Sequence, residues 1–426
     1  MPGQEIINVP PTAYLQKQAL FGAQISGKPS DGLGMIVVIP AKNEPKLIDS
    51  LEALNQAFKP KCDVEVIVVI NDSEKDEPKL KEQNRKLFEK AKKWGSAHST
   101  SQIKFHILYH RNLLPKHAGV GLARKIGMDE AIYRFQQVER DNGVIICFDA
   151  DSSCKRNYFK AIEAHFDENP KTQACSIHYE HPLEGEAFPQ KVYRAIALYE
   201  LHLRYYTQVQ RFAGFPFAFE TIGSSMAVRA DAYQKQGGMN RRKAGEDFYF
   251  LHKFTHLGHF SEINTTTVIP SPRRSDRVPF GTGKAVGDIS DKPKEVFETY
   301  APQSFVDLQS FLKSVPKLRN WKSADFDVKF KKLPPAVTAF LETVNFKEKL
   351  FEITENTSNA ETFKLRFFRW FNAFMMMKYV HFTRDHFYPN VPVEEAAHWL
   401  LTTHFGKRVK KDAAAKDLLL KLRKLA

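Results

Sequence analysis

Four short β-branched runs in the first 150 residues constrain this chain more than any other feature: Met35–Ile39, Val64–Ile70, Ile103–Leu108 and Val144–Phe148. Each is apolar nearly throughout, which suits strands buried on both faces, as in a parallel sheet. The segments between them carry helical spacing. Leu47, Ile48, Leu51, Leu54 and Phe58 form one apolar stripe, Leu80, Leu87, Phe88 and Ala91 a second, and Ala123, Ile126, Met128 and Ile132 a looser third. Strand alternating with helix predicts an α/β fold with a doubly wound, mostly parallel sheet, whose ligands bind beyond the carboxyl ends of the strands.

The pattern changes from about Gly185. Val192, Ile196, Tyr199 and Leu203 predict a long amphipathic helix, followed by an aromatic and Gly-rich stretch to Gly238 that has no clear period. Pro270 to Gly287 is rich in Pro, Gly and Arg and reads as a loop, whereas the chain beyond Lys292 is helical, aromatic and basic. The expected division is an N-terminal extension at 1–33, a sheet domain at 34–290 and a mainly helical, basic C-terminal subdomain at 291–426. No internal repeat is present.

A chain of 426 residues with 42% hydrophobic and 26% charged residues can bury a large core, which excludes the disordered and collagen-like classes. Its net charge of +14 is uneven: residues 301–426 hold 22 basic and 13 acidic side chains, and Lys407–Ala426 holds eight and two. That bias suits an anionic partner, although a solvated helix face has the same composition. The four cysteines, Cys62, Cys147, Cys154 and Cys175, lack the spacing of a zinc site and are expected to be reduced thiols. Residues 1–30 contain no apolar leader, and the longest apolar stretch, Phe367–Phe382, is interrupted by Arg369, Asn372 and Lys378. A cytoplasmic protein without a membrane span is therefore expected. Ala415, Leu418, Leu422 and Leu425 make a last apolar stripe beside Lys416, Lys421, Arg423 and Lys424. Such a helix either lies on an anionic membrane, bringing the site to a lipid-linked acceptor, or packs its leucines on the catalytic domain with its lysines in water.

Polar residues follow the predicted strands. The first ends in Val37-Val38-Ile39-Pro40-Ala41-Lys42-Asn43-Glu44, the second in Asn71-Asp72-Ser73 and the fourth in Asp149-Ala150-Asp151. Two carboxylates at i and i+2 beyond a buried strand can reach one hard divalent cation such as Mg²⁺ or Mn²⁺, though an isolated Asp-x-Asp is usually a turn. Gly245-Glu246-Asp247 opens an apolar helical segment through Phe248, Phe250, Leu251 and Phe254, a place that acidic residues also favour for capping and dipole reasons.

In this order the motifs resemble the family 2 glycosyltransferases of the GT-A fold, over roughly Met35 to Gly283. The resemblance includes Ala123-Arg124-Lys125-Ile126-Gly127 and the segment from Gly223 through Ala227, Arg229 and Gly237-Gly238. It implies an inverting enzyme that moves a single sugar from a nucleotide diphosphate sugar to an acceptor hydroxyl of a glycan or lipid-linked glycan. Pro40, Ala41, Glu44, Asp72, Arg124, Asp149 and Ala150 would then contact the donor, with Glu44 and Asp72 facing the nucleoside and Arg124 supporting the base or the diphosphate. Asp149 and Asp151 would hold the ribose and a Mn²⁺ or Mg²⁺ ion. Asp247 would be the general base with Glu246 beside it, because a hydroxyl is a poor nucleophile at neutral pH. Arg273, Arg274 and Arg277, in Ser271–Gly283, could close over the diphosphate.

Other motifs fail on inspection. Gly281-Thr282-Gly283-Lys284 lacks the earlier Gly of a phosphate loop, Val278 standing there, and Ala285 replaces its Ser/Thr. Gly119-Val120-Gly121 lacks the third Gly of a dinucleotide fingerprint, Arg124 taking its place. Leu257-Gly258 should end the helix carrying His252 and His256 before it reaches His259, which argues against a zinc site. The Gln-x-x-Arg-Trp motif of processive synthases is approximated only by Gln208–Phe212, ahead of the acidic pair. A sugar-phosphate nucleotidyltransferase would need a Gly-rich basic loop after the first strand, which Pro40–Glu44 is not. A basic nucleic-acid-binding protein is the remaining alternative, but no RNA-binding motif accompanies the charge, and no nucleic-acid partner is expected.

Overall fold

The computed structural model describes residues 10–277, 280–292 and 296–425; Val278 and Pro279 of the Arg-rich segment and residues 1–9 of the expected extension lie outside these. The four apolar runs are strands, somewhat longer than their cores: β1 Leu33–Ala41, β2 Asp63–Ser73, β3 Ile103–Leu113 and β4 Val144–Cys147. β1 lies between β2 and β4 and is parallel to both, and β3 is parallel to β2 on the far side. The sheet continues through β7 (Met226–Arg229), β6 (Ala174–Tyr179), β8 (Phe260–Ile269) and β5 (Ser153–Cys154), giving the order β3-β2-β1-β4-β7-β6-β8-β5. This is a doubly wound, mostly parallel α/β sheet, with antiparallel pairing of β7 on both sides and of β5 with β8. Strand order reverses between β1 and β4, and such a reversal opens a crevice at the carboxyl ends.

The helix Val120–Gln136 covers β1 and β2. Gly127 makes the approach possible, because a β-carbon there would come within 2.5 Å of Val38 Cγ1. The same helix is held from outside by the chain's beginning. Glu130 accepts from the backbone N–H groups of Gln24 (2.9 Å) and Ile25 (3.0 Å), Asp129 from the hydroxyls of Tyr14 (2.8 Å) and Tyr233 (2.7 Å), and Arg134 donates to Gly27 O and to the buried Glu65. These buried charges are all paired, as burial requires.

Two compact units emerge. The first comprises residues up to Pro182, Thr221–Pro272 and Asp276–Lys284; the second comprises Leu183–Glu220, Arg273–Ser275 and Ala285 onward. The long helix Gln190–Phe212 therefore belongs with the C-terminal helices, so the second unit begins far ahead of residue 290 and is discontinuous in sequence. A helix at Thr282–Ser290 also replaces part of the expected loop. Gly283 and Gly287 lower its intrinsic helix propensity and hide it from composition.

Within the second unit the helix Ala415–Arg423 forms where its stripe predicts, but Leu418, Leu419 and Leu422 are fully buried. It packs on the helices Gln190–Phe212 and Val393–Thr403, with Arg423 paired to the buried Glu200 at 2.6 Å and Lys416 to Glu184 at 2.6 Å. Of the two expectations for this stripe the structure has the packed one: its leucines serve the core of this unit, whereas an interfacial helix needs that face free. No helix among the described residues is long and apolar enough to cross a membrane. All four cysteines are free thiols, which burial pushes up to about 12.

Candidate active site

The first unit gathers several candidate residues at the carboxyl ends of β1 and β4. β4 stops at Cys147, opposite Val38 of β1, and Phe148 still donates its N–H to Val38 O at 3.1 Å. The next residues, Asp149-Ala150-Asp151, turn away with Ala150 buried and the two carboxylates half-buried. β7 runs antiparallel with Met226 facing Cys147, so the turn at Gly223–Ser225 sits at the same edge.

Arg124 is the hub. It is 2% exposed on the helix Val120–Gln136; its Nη2 lies 2.5 Å from Asp149 Oδ1, and its Nη1 donates to Glu246 Oε1. Its third nitrogen, Nε, is buried without a hydrogen-bond partner. Sequence reasoning expected this arginine to support a base or diphosphate. Each terminal nitrogen gives one N–H to a carboxylate, so Arg124 ties Asp149 to Glu246. Gly223 leaves the space it needs: a β-carbon there would stand 2.5 Å from Nη2 and 2.6 Å from Nη1.

Glu246 and Asp247 begin the helix Glu246–Thr255, whose preceding residue, Gly245, has φ +67°. A left-handed residue at that position lets the chain turn sharply into the helix, and glycine adopts it without strain. Asn240 Nδ2 donates to Glu246 O at 2.8 Å, and Phe248 N–H to Asp247 Oδ1 at 2.7 Å. Desolvation pushes both carboxyls above their usual range. For Glu246 the neighbouring Arg124 opposes the shift and Asp247 adds to it, leaving it at about 7; for Asp247 Arg124 again opposes. This is the environment in which a carboxylate can take a proton near neutral pH. The helix ends at Thr255, before His259, as expected.

Other predicted residues divide. Pro40 and Ala41 close β1. Glu44 is 3% exposed and accepts from Arg277 Nη2 at 3.0 Å, while Arg277 Nη1 donates to Lys42 O at 2.6 Å. Arg277 therefore braces the β1 turn. Asp72 is completely buried, with one oxygen accepting from Tyr109 OH and the other from Asn112 N–H, both at 2.6 Å. It ties the ends of β2 and β3 together, and a nucleoside would have to displace or share those donors. Arg273 and Arg274 belong to the second compact unit, where Arg274 pairs with Asp291 at 2.6 Å. The three arginines are thus not one cluster within either unit. Sequence reasoning missed Asn240, Tyr109 and Asn112, whose roles arise from contacts distant in sequence. Gly223 was noted only as part of a motif; its type was the signal, but not its purpose.

Among the described residues no three His, Cys, Asp or Glu side chains form a ready metal site. Asp149 and Asp151 nonetheless fit a cation held jointly with a diphosphate, since Mg²⁺ and similar ions are commonly bound by one or two carboxylates plus substrate phosphates.

Similarity to known proteins is found among solved structures and in one family model. No curated protein matches the chain. Among solved structures, S. aureus TarS 1-349 in complex with UDP-GlcNAc is 13% identical, with 76% of this chain and 90% of that chain covered and a TM-score of 0.40. The longer S. aureus TarS is 14% identical, with coverages of 82% and 55% and a TM-score of 0.36. A mannosyltransferase from Pyrobaculum calidifontis, PcManGT in complex with GDP-Man and Mn²⁺, is 16% identical, with coverages of 58% and 58% and a TM-score of 0.33. In one TarS 1-349 structure the match likewise spans only 58% of that chain. Similarity at this level assigns neither ligand nor acceptor here. The family model "Glycosyl transferase family 2" matches residues 36–237, which include most of β1, all of β2 to β4, Arg124, Asp149, Asp151 and Gly223. Residues 36–237, just under half of the chain, are thus similar to glycosyl transferase family 2, and they carry the parallel strands on either side of the reversal between β1 and β4.

Proposed function

We propose that this chain is a metal-dependent, inverting glycosyltransferase that moves one sugar from a nucleoside diphosphate sugar to an acceptor hydroxyl. The observation that carries the reading is the buried Arg124 joining Asp149, at the end of β4, to Glu246, at the start of the acidic helix. Arg124 thereby ties a carboxylate suited to the donor to the first residue of a carboxylate pair suited to proton transfer.

In this reading Asp149 binds the donor ribose and Asp151 holds the cation. A divalent ion bound there would supply the neutralisation of charge on the departing diphosphate. Asp247, with its raised proton affinity, accepts the acceptor hydroxyl's proton as that oxygen bonds to the anomeric carbon. The bond from that carbon to the diphosphate oxygen breaks on the opposite side, which inverts the centre. Glu246 stays paired with Arg124 and keeps the proton-accepting face in place. The β1 turn, braced by Arg277, forms the wall beside the nucleoside. The acceptor is a glycan or lipid-linked glycan, and the unpaired cysteines favour a reducing, cytoplasmic setting.

Thermal-shift measurements against UDP- and GDP-sugars, with and without Mn²⁺, test the reading. A ligand that binds only the folded state raises the midpoint, by about 2.7 kcal/mol of stabilisation at a hundredfold excess over Kd. A Mn²⁺-dependent rise with at least one nucleotide sugar is expected; no rise with any of them overturns the proposal.

A further inference from the structure

Phe280 is 56% exposed, a large aromatic ring left largely in water. Its place is not arbitrary. The ring edge, Cε2 and Cζ, lies 3.4 Å from where a β-carbon on Gly245 would stand, and Gly245 is the residue that turns the chain into Glu246-Asp247. Both residues belong to the first compact unit. Glycine suits the turn at φ +67°, where a side chain would be strained, and it leaves the ring at ordinary van der Waals distance. Nearby, Arg242 lies over the Tyr249 ring at 3.6 Å, so that aromatic is already occupied by a cation, whereas Phe280 offers an open surface.

We propose that Phe280 is the stacking platform for the acceptor, and that the acceptor presents a pyranose ring to it. This rests on the glycosyltransferase reading given above. A pyranose ring has hydroxyls around its rim and a patch of C–H groups on its face. An exposed aromatic beside a carboxylate pair matches both features: the ring face covers Phe280 while a rim hydroxyl reaches Asp247. An acyclic polyol has the hydroxyls but no such face, and it gains little from the ring. Covering an aromatic surface that water would otherwise touch is favourable, and stacked contacts add modestly to that.

The test uses the full chain saturated with UDP or GDP and Mn²⁺, with methyl α- and β-pyranosides as probes and sorbitol as the acyclic control. Binding is followed by saturation-transfer NMR and titration. The wild type should bind at least one pyranoside through its ring protons. Phe280→Ala should weaken that binding about tenfold, Phe280→Trp should retain it, and nucleotide affinity should be the same in all three proteins. No pyranoside binding by the wild type overturns the proposal. So does equal binding by Phe280→Ala, as would equal loss of sorbitol. If Phe280→Ala loses nucleotide affinity instead, the ring stacks on the donor's base and the acceptor role is wrong. If the wild type binds no nucleotide sugar, it is the glycosyltransferase reading that has failed, and the two failures are thereby distinguished.

Discussion

A β-carbon on Gly223 would stand 2.5 Å from Nη2 of Arg124, a guanidinium that is itself held between two carboxylates. Neither partner can easily give way. Gly223→Ala should therefore behave as an overpacked core substitution, costing about 1–3 kcal/mol of stability. Because the displaced arginine positions Asp149 and Glu246, turnover should drop about tenfold or more, while Gly22→Ala, in open space and without a positive φ, serves as an uncrowded control for stability. Urea denaturation and initial-rate kinetics measure the two effects; a fully active, fully stable Gly223→Ala protein would contradict the role assigned to this contact.

Proton linkage follows from the acidic pair. Burial raises Glu246 from 4.5 to about 7 in the folded protein, so between those values the native state holds a proton that the unfolded chain has released. Stability from this group is complete below about pH 4.5 and is lost as the pH rises towards 7. Asp247 is shifted in the same direction. Chemical denaturation of wild type and Glu246→Gln between pH 5 and 8 checks this, with a smaller loss on raising the pH expected in the variant. For catalysis the sign reverses, since a base must be deprotonated, and the acid limb of kcat/KM should lie above the range of an ordinary aspartate.

Asp151 and Asp247 should separate cleanly. Asp151→Ala is expected to abolish the Mn²⁺-dependent part of nucleotide binding while the chain still folds, because this carboxylate is half-buried beyond a strand end and outside the apolar core. Asp247→Asn should bind donor normally and turn over about 10²-fold more slowly or worse. Isothermal titration and steady-state rates read the two outcomes. If Asp247→Asn keeps the native rate, Glu246 becomes the first alternative for the base.

The last helix is expected to be a structural element. Leu419→Ala removes a fully buried side chain from the second unit and should cost about 2–5 kcal/mol. A vesicle-binding helix would show the opposite behaviour, with the leucine affecting flotation on anionic liposomes and leaving the unfolding midpoint alone.

How far the sequence could be read depended on the kind of signal each element carried. β1, β2 and β4 stood out because strands buried on both faces are continuously apolar, whereas β3, at the sheet edge, is only partly buried over most of its length. β7 has four residues and β5 two, too short for any period, and β8 carries Asn264, Thr265, Thr266 and Thr267 in its middle. Candidate residues next to the clear strands could be named from the sequence; their partners could not. Asp72 illustrates the limit: its position at a strand end was evident, but Tyr109 and Asn112, which occupy it, come from the neighbouring strand's far end. Arg124 was identified by a motif whose pattern carries no information about which atoms its guanidinium would meet.

The interleaving of the two units has a consequence during synthesis. The first unit cannot close until residue 284 has emerged, and the helix Gln190–Phe212 must wait for partners that extend to the end of the chain. At ribosomal speeds of roughly 5–20 residues per second, the final partner helix at 415–423 follows about 200 residues later, a delay on the order of 10 to 40 seconds. Over that interval Val192, Ile196, Leu201 and Val209 have no finished core to enter. Exposed apolar surface of this kind is open to non-native contacts until its partners arrive, and truncations placed between the units' segments would remove them.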